Sequence, residues 1–136
     1  MYLSLQGNAG LGVAIQYFTS HQMTVCLPLN DTQKYDLVAD INGSLQRISV
    51  KTSKNKKNST SYEVGLRNIG GASGKSIVRK FNNKDCDYIF VLIGDNRTYL
   101  IPSNVVHNSN CIVVGGFAYS EYEVHTNQFS QFRGLA

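Results

Sequence analysis

Asn42-Gly43, set between two runs of alternating apolar and polar residues, constrains this chain more than any other feature. A two-residue Asn-Gly loop takes the type I′ turn, whose twist matches that of paired strands. YDLVADI (35–41) and LQRISVKTS (45–53) are therefore expected to form an antiparallel hairpin. The turn also sets the register: Ile41 pairs with Ser44, Leu37 with Ile48, and Asp36 with Ser49. Side chains alternate along each strand, so Asp36, Val38 and Asp40 share a face with Leu45, Arg47, Ser49 and Lys51. The other face carries Leu37, Ala39, Ile41, Ile48 and Val50 and reads as the core side. The polar face gathers Asp36, Ser49 and Lys51 within diagonal reach.

The rest of the chain reads as helix, then strands in hairpins, then a short helix. Leu11, Ala14, Ile15 and Phe18 recur at helical spacing over residues 8–20, although Gly10 and Gly12 weaken that helix. MTVCLPL (23–29) reads as a short edge strand ending near Pro28. KNKKNST (54–60) reads as a basic loop or frayed tip, and SYEVGLRNI (61–69) as a further strand. GGASGKS (70–76) is glycine-rich, but its glycines miss the P-loop spacing by one residue. DYIFVLI (87–93) is a continuous apolar run, as a central buried strand requires. TYLIP (98–102) returns from it, with Ser103 able to cap a helical turn over 104–108. CIVVG (111–115) reads as a strand. Ser120 could cap a closing helix over 121–132, with Tyr122, His125, Phe129 and Phe132 near one face. The expected class is α+β with a mixed sheet, in a single domain over residues 1–136.

Of the 136 residues, 42% are hydrophobic and 16% charged, which favours a folded core over disorder. No apolar run is long enough for a membrane span, and the N-terminus lacks the pattern of a secretion signal. Three cysteines without ligand spacing exclude a disulfide framework or zinc finger and fit a reducing compartment. Charge is polarised along the chain. Residues 47–84 hold ten basic residues against one acid, Glu63, whereas the remainder holds three basic residues and eight acids. Such a segment presents an electropositive surface, whose usual partner is a nucleic-acid backbone that releases counterions on binding. A solvated lysine-rich loop is the alternative.

A carboxylate and a lysine on adjacent strands can serve phosphodiester chemistry. The carboxylate holds a divalent cation that polarises the phosphate, and the lysine stabilises developing charge. From the geometry alone, an exposed ion pair worth under about 1 kcal/mol is the simpler account. Lys54, Lys56 and Lys57 lie just beyond the hairpin, where they would meet phosphates. Arg67, Lys75 and Arg79 would extend that surface, and the two arginines could read guanine edges. His21, His107 and His125 read as surface or filler residues. Cys26 and Cys86 read as small core residues, as do the rings of Tyr17, Phe18, Phe90 and Tyr99. Tyr62, Tyr119 and Tyr122 are the better surface aromatics.

The run Y-D-L-V-x-D, the Asn-Gly turn and R-I-x-V-K-T resemble the PD-(D/E)XK nucleases. The chain is most similar to the small homing endonucleases of cyanobacterial type that group I introns encode. Leu5 through Ile15, Val25 to Leu29, Ile77-Val78-Arg79, Asp87-Tyr88 and Tyr99 to Pro102 follow the family pattern in order. The resemblance implies a restriction-endonuclease-like core with N-terminal and C-terminal helices. Asp36 matches the family's metal-binding aspartate and Lys51 its catalytic lysine. Ser49 stands where the middle acid of the motif belongs, a position that relatives often fill with glutamine.

A first-helix glutamate should face the metal, but Leu11 matches that position, with Asn8 the polar neighbour. No acid lies between residues 1 and 30. Mg²⁺ would then rest on Asp36, with the Val50 carbonyl and the Ser49 hydroxyl adding neutral oxygens. Asp40 sits about 13 Å away along the strand, at roughly 3.3 Å per residue. Glu63 could supply a second acid from the next strand.

The resemblance implies a Mg²⁺-dependent, sequence-specific endonuclease of homing type acting on double-stranded DNA, with a degenerate metal site. It implies a homodimer or homotetramer in the cytoplasm of a bacterial or phage-infected cell. The alternative is a catalytically inactive nuclease-fold regulator that binds DNA, RNA or a protein partner.

Overall fold

The computed structural model describes residues 5–30, 33–70, 77–107 and 109–125, with the side chains of residues 5, 6, 68–70 and 77–79 left aside. Helix α1 (Leu5–Ser20) leads into β1 (Val25–Cys26), β2 (Leu37–Ile41) and β3 (Ser44–Ser53). Asn42 and Gly43 both take positive φ, 55° and 85°, as a type I′ turn demands. The register is as expected from Ile41–Ser44 down to Leu37–Ile48.

From β3 the chain makes a long crossover and returns parallel to it as β7 (Tyr88–Ile93). Between them lie β4 (Tyr62–Gly65), β5 (Asn68–Gly70) and β6 (Ile77–Arg79). Then follow β8 (Thr98–Pro102), a 3-10 turn at Ser103–Val105, β9 (Cys111–Val114), a 3-10 turn at Ser120–Tyr122 and β10 (Glu123–Val124). The main sheet has six strands in the order β1-β2-β3-β7-β8-β10, antiparallel except for β3–β7. Two ribbons, β4–β9 and β5–β6, stand beside it. This is an α+β fold with a mixed sheet, as expected.

Both faces of the sheet are covered. On one, Ala14, Tyr17 and Phe18 of α1 pack on Leu37, Ala39, Ile48 and Phe90. On the other, Tyr62, Val64, Leu66, Phe81 and Cys86 from the crossover join Ile112 and Val114 over Ile89, Val91, Ile93, Tyr99 and Ile101. Period two does this sorting: Phe90 faces the helix, while Ile89 and Val91 face the crossover. That is why β7, Tyr88–Ile93, is apolar without interruption. The crossover, which ordinarily is a helix between parallel strands, is here built of short ribbons.

Several expectations are corrected. The strand over 23–29 shrinks to Val25–Cys26 at the sheet edge. Pro28 has no amide to donate, and Leu27 and Leu29 beyond the pairing are exposed. Cys26 is exposed and not a core residue, whereas Cys86 is buried. The single strand over 61–69 is two strands in two ribbons, broken at Leu66 and Arg67 just after Gly65, which has no side chain to hold a strand together. Tyr62 is buried against the sheet, not a surface ring.

The closing helix does not form where it is described. Instead, residues 123–124 pair with β8, and Thr98 Oγ1 donates to the Val124 carbonyl at 2.7 Å. The edge of β8 needs a partner more than a short segment needs helical bonds. Residues 126–132 of that expected helix lie outside the described residues, as do 71–76 of the glycine-rich stretch. Neither serine caps: no side-chain cap bond forms at either 3-10 turn, and Ser103 Oγ donates to the Cys86 carbonyl instead. No described helix is long and apolar enough to cross a membrane.

One contact brings α1 close to β3. Gly10 is buried, and a Cβ built there would collide with Thr52 Cγ2 and lie 3.4 Å from Val50 Cγ1. Gly10→Ala should therefore lift the helix from the strand and destabilise the protein by about 1–3 kcal/mol, although alanine is the better helix former. Gly12, with open space around it, is the control: Gly12→Ala should leave stability unchanged or raise it. Urea denaturation of the two variants tests this.

Candidate active site

Strand β2 leaves the ladder just before Leu37, and the way it leaves places Asp36. The Asp36 amide donates to the Ile48 carbonyl at 2.8 Å, although Leu37 is already the residue facing Ile48. Two residues thus meet one, which is a bulge, and bulges re-aim side chains. Asp36 therefore does not sit squarely opposite Ser49 as the hairpin register predicted. Its Oδ2 instead accepts the Val50 amide at 2.6 Å, taking the place of the next backbone acceptor. In a strand, the N–H and C=O of one residue point the same way, so the Val50 carbonyl also faces the side where Asp36 lies.

Lys51 is the next residue, on the opposite face of β3 from Val50. It is half-buried, and its Nζ donates to the Arg67 carbonyl at 3.4 Å. Asp36 and Lys51 feel one another's charge. Burial raises the Asp36 carboxyl above its usual range, against the pull of the Val50 amide and the Lys51 charge. Burial lowers Lys51 in turn, against the Asp36 carboxylate. Asp36 nonetheless has substantial exposed surface. It sits on a lip, open to solvent on one side and crowded by protein on the other.

Cys86, buried and close enough to Lys51 for their charges to interact, was not singled out as part of the site by the sequence. Burial pushes its thiol up to about 11, against the charges of Lys51 and Arg47, so it stays a neutral wall and not a nucleophile. Nothing in the local sequence signals this neighbour, because it arrives on the far end of the crossover.

Other expected residues are placed less centrally. Ser49 is 2% exposed, which leaves its hydroxyl little room to meet a ligand. Glu63 alternates with buried Tyr62 and Val64, so it points away from the main sheet. Asp40 lies near the hairpin end, with Oδ1 buried and without a hydrogen-bond partner. Leu11 packs against the helix-side core, and α1 carries no acid in its first turn. Among the described residues, no group of three His, Cys, Asp or Glu is placed to hold a metal ion. One carboxylate and one carbonyl remain, a donor set that suits a hydrated hard cation completed by water and phosphate oxygens.

The basic rim starts where β3 ends. Lys54, Lys56 and Lys57 are all exposed, Lys54 about 10 Å along the chain from Lys51. Their loop is ordered and not frayed. Asn58 Oδ1 accepts the amides of Thr60 and Ser61 at 3.0 and 2.9 Å, and also both their hydroxyls. Arg97 Nη2 donates to the Thr60 carbonyl at 2.7 Å. Arg67 is exposed. Lys75 and the side chain of Arg79 lie outside the described residues. A cavity of about 430 Å³ lies at the opposite end of β3 and β7, lined by Arg47, Lys84, Asp87 and Asn104 among others, and includes neither Asp36 nor Lys51.

A family model described as PD-(D/E)XK endonuclease matches residues 2–133. The fold is similar to the solved structure of a bacterial homing endonuclease, I-Ssp6803I. That likeness has a TM-score of 0.68 at 22% identity and covers 90% of this chain and 84% of the other. No curated protein matches the chain.

The coupling between the two charges is measurable in metal-free buffer. Lys51→Met should move the Asp36 titration to still higher pH, because it removes the positive charge that holds the carboxyl down. Carboxyl-carbon NMR titration reads this directly. Both groups are also held away from their charged forms, so at neutral pH their ionisation costs folding energy. The double variant Asp36→Asn/Lys51→Met should be no less stable than the parent in urea at neutral pH.

Proposed function

The chain belongs to the PD-(D/E)XK endonuclease family, and from that premise we propose that it is a metal-dependent endonuclease of homing type that hydrolyses phosphodiester bonds in double-stranded DNA. The observation that carries this reading is the lip of β2 and β3, where Asp36 and Lys51 are coupled, half-covered and adjacent to an exposed basic loop.

Lys54, Lys56 and Lys57 would hold the backbone by charge and steer it along the end of β3. Arg67 would extend that track. Lys51 would stand beside the scissile phosphate, anchored through the Arg67 carbonyl, and stabilise the negative charge that builds on its oxygens. Asp36, with the Val50 carbonyl beside it, would hold Mg²⁺. When bound, the ion supplies Lewis-acid polarisation of the phosphate and a more acidic water. The Val50 amide fixes the Asp36 carboxylate in orientation before any ligand arrives. Ser49 fills the motif's middle position without adding charge.

The donor set is lean, and this favours weak metal binding with much of the coordination left to water and DNA. A second reading draws on the same feature. With Leu11 in place of a helix acid, the protein would be a nuclease-fold binder of DNA or RNA that has lost turnover. A small domain also spans few base pairs, so a symmetric homodimer or homotetramer is proposed for a longer target.

Incubation with DNA and Mg²⁺ or Mn²⁺ separates the two readings. Metal-dependent cutting is expected, falling at least about a hundredfold in Asp36→Ala and in Lys51→Ala. No cutting with any divalent metal, alongside DNA affinity that drops steeply with salt, would establish the binder instead. Lys54→Ala, Lys56→Ala and Lys57→Ala should each lower the salt slope by about one. A light-scattering mass equal to the monomer would remove the oligomer.

A further inference from the structure

Phe117 is 96% exposed, yet the loop that displays it is held firmly. Gly115, at φ 97°, has its carbonyl bound by Arg97 Nη1 at 2.8 Å. A Cβ on Gly115 would lie 2.5 Å from the Thr60 carbonyl oxygen, and one on Gly116 would lie 3.4 Å from Ser61 Oγ. The same Arg97 binds the Thr60 carbonyl and Asp95. From the other side, Gly94 leaves only 3.4 Å between its built Cβ and Lys54 Cα. The Ser120 amide closes the turn on the Phe117 carbonyl at 3.3 Å. Three loops are thus pinned together: 54–61 with its lysines, 94–97, and 115–120.

An isolated exposed apolar residue needs no explanation in general. This one is a large ring on a loop pinned, through Arg97 and Gly115, to the loop that carries exposed Lys54, Lys56 and Lys57. Phosphate backbone drawn to Lys54, Lys56 and Lys57 would bring the edges of a base stack against the ring. A second copy of the same surface would bring like charges together instead. Apolar side chains displayed beside basic residues commonly enter base steps and unstack them.

We propose that Phe117 is a wedge that inserts between base pairs of duplex DNA held along the Lys54–Lys57 loop, and so bends or opens the duplex next to the cleavage site. The inference rests on the DNA-binding reading above. It adds a residue that acts by deforming DNA and not by charge.

The test measures binding to a short mixed-sequence duplex, with and without one central mismatch, across a salt series with EDTA present. An inserted ring spends less unstacking a mismatched step, so the parent protein should bind the mismatched duplex more tightly. Phe117→Ala should lose that preference and bind about tenfold more weakly, with the salt slope unchanged, and Phe117→Trp should retain both. If Phe117→Ala binds both duplexes like the parent, the wedge is wrong. The DNA reading then still stands if the combined Lys54/Lys56/Lys57→Ala variant loses binding, and falls with it if the parent binds neither duplex. A fall in oligomer mass in Phe117→Ala would overturn the wedge by making the ring a contact between copies.

Discussion

The site depends on one interruption of a ladder: the Asp36 amide reaches the Ile48 carbonyl, and the Asp36 carboxylate reaches the Val50 amide. Had β2 continued in register, the Val50 amide would have met a backbone carbonyl, and Asp36 would have lain flat across from Ser49. The bulge ends the pairing at Leu37 and opens a gap beside β3. Into that gap face a carboxylate and the Val50 carbonyl. The proposed chemistry therefore depends on where two antiparallel strands stop pairing and start to diverge. The helix makes this possible from behind, since α1 packs on β3 at Gly10 and holds Val50 and Thr52 in place.

The hairpin was legible because its information is local. Asn42-Gly43 fixes a turn, the turn fixes a register, and the register holds for five pairs. The central strand was legible from its composition, because only a strand covered on both sides is apolar without interruption. Failures came where tertiary contacts decide. The bulge at Asp36 leaves no mark in the alternation of residues 35–41. Residues 61–69 alternate like one strand, but the two halves find different partners, β9 and β6. Tyr122 and His125 have helical spacing, yet an open strand edge claims residues 123–124 between them. The alternation of the hairpin marks only the face of Leu37, Ala39 and Ile48 as the core side. Ser49, on the other face, is also buried, because the crossover folds back over that face, and nothing in the hairpin's own sequence announces this.

The crossover also explains the polarised charge. Linking parallel strands requires a long excursion, and here that excursion carries nearly all of the basic segment. Its inner residues, Tyr62, Val64, Leu66 and Phe81, seal the sheet. Its first loop, 54–61, follows the end of β3, so the same segment that buries the core also supplies exposed Lys54, Lys56 and Lys57 there. Arg97 stands apart from this group. It spends its guanidinium on Asp95, Thr60 and Gly115, and acts as a staple between loops, not as a free cation.

Three charge pairs among the described residues fall into two kinds, and the direction of their titration tells them apart. Arg47 holds Asp87 through its side chain and its backbone amide, which donates at 2.7 Å. Burial alone would raise Asp87, but these bonds lower it overall, and Arg47 is raised in return. Asp95 and Arg97 shift in the same senses, led by their own hydrogen bond. In both couples the fold favours the charged forms, so the carboxylates contribute stability above their unfolded range and lose it as the pH falls. Asp36 and Lys51 shift the other way, each towards its neutral form. As a brace, such a pair is a poor choice, since apolar residues of similar size would serve the fold as well or better. On the proposed function, a carboxylate and an ammonium kept at a loss on an open lip would be met by outside charge, a cation for one and a phosphate for the other. That sign difference supports the placing of Asp36 and Lys51 in the proposed site, and of the other two couples in the scaffold.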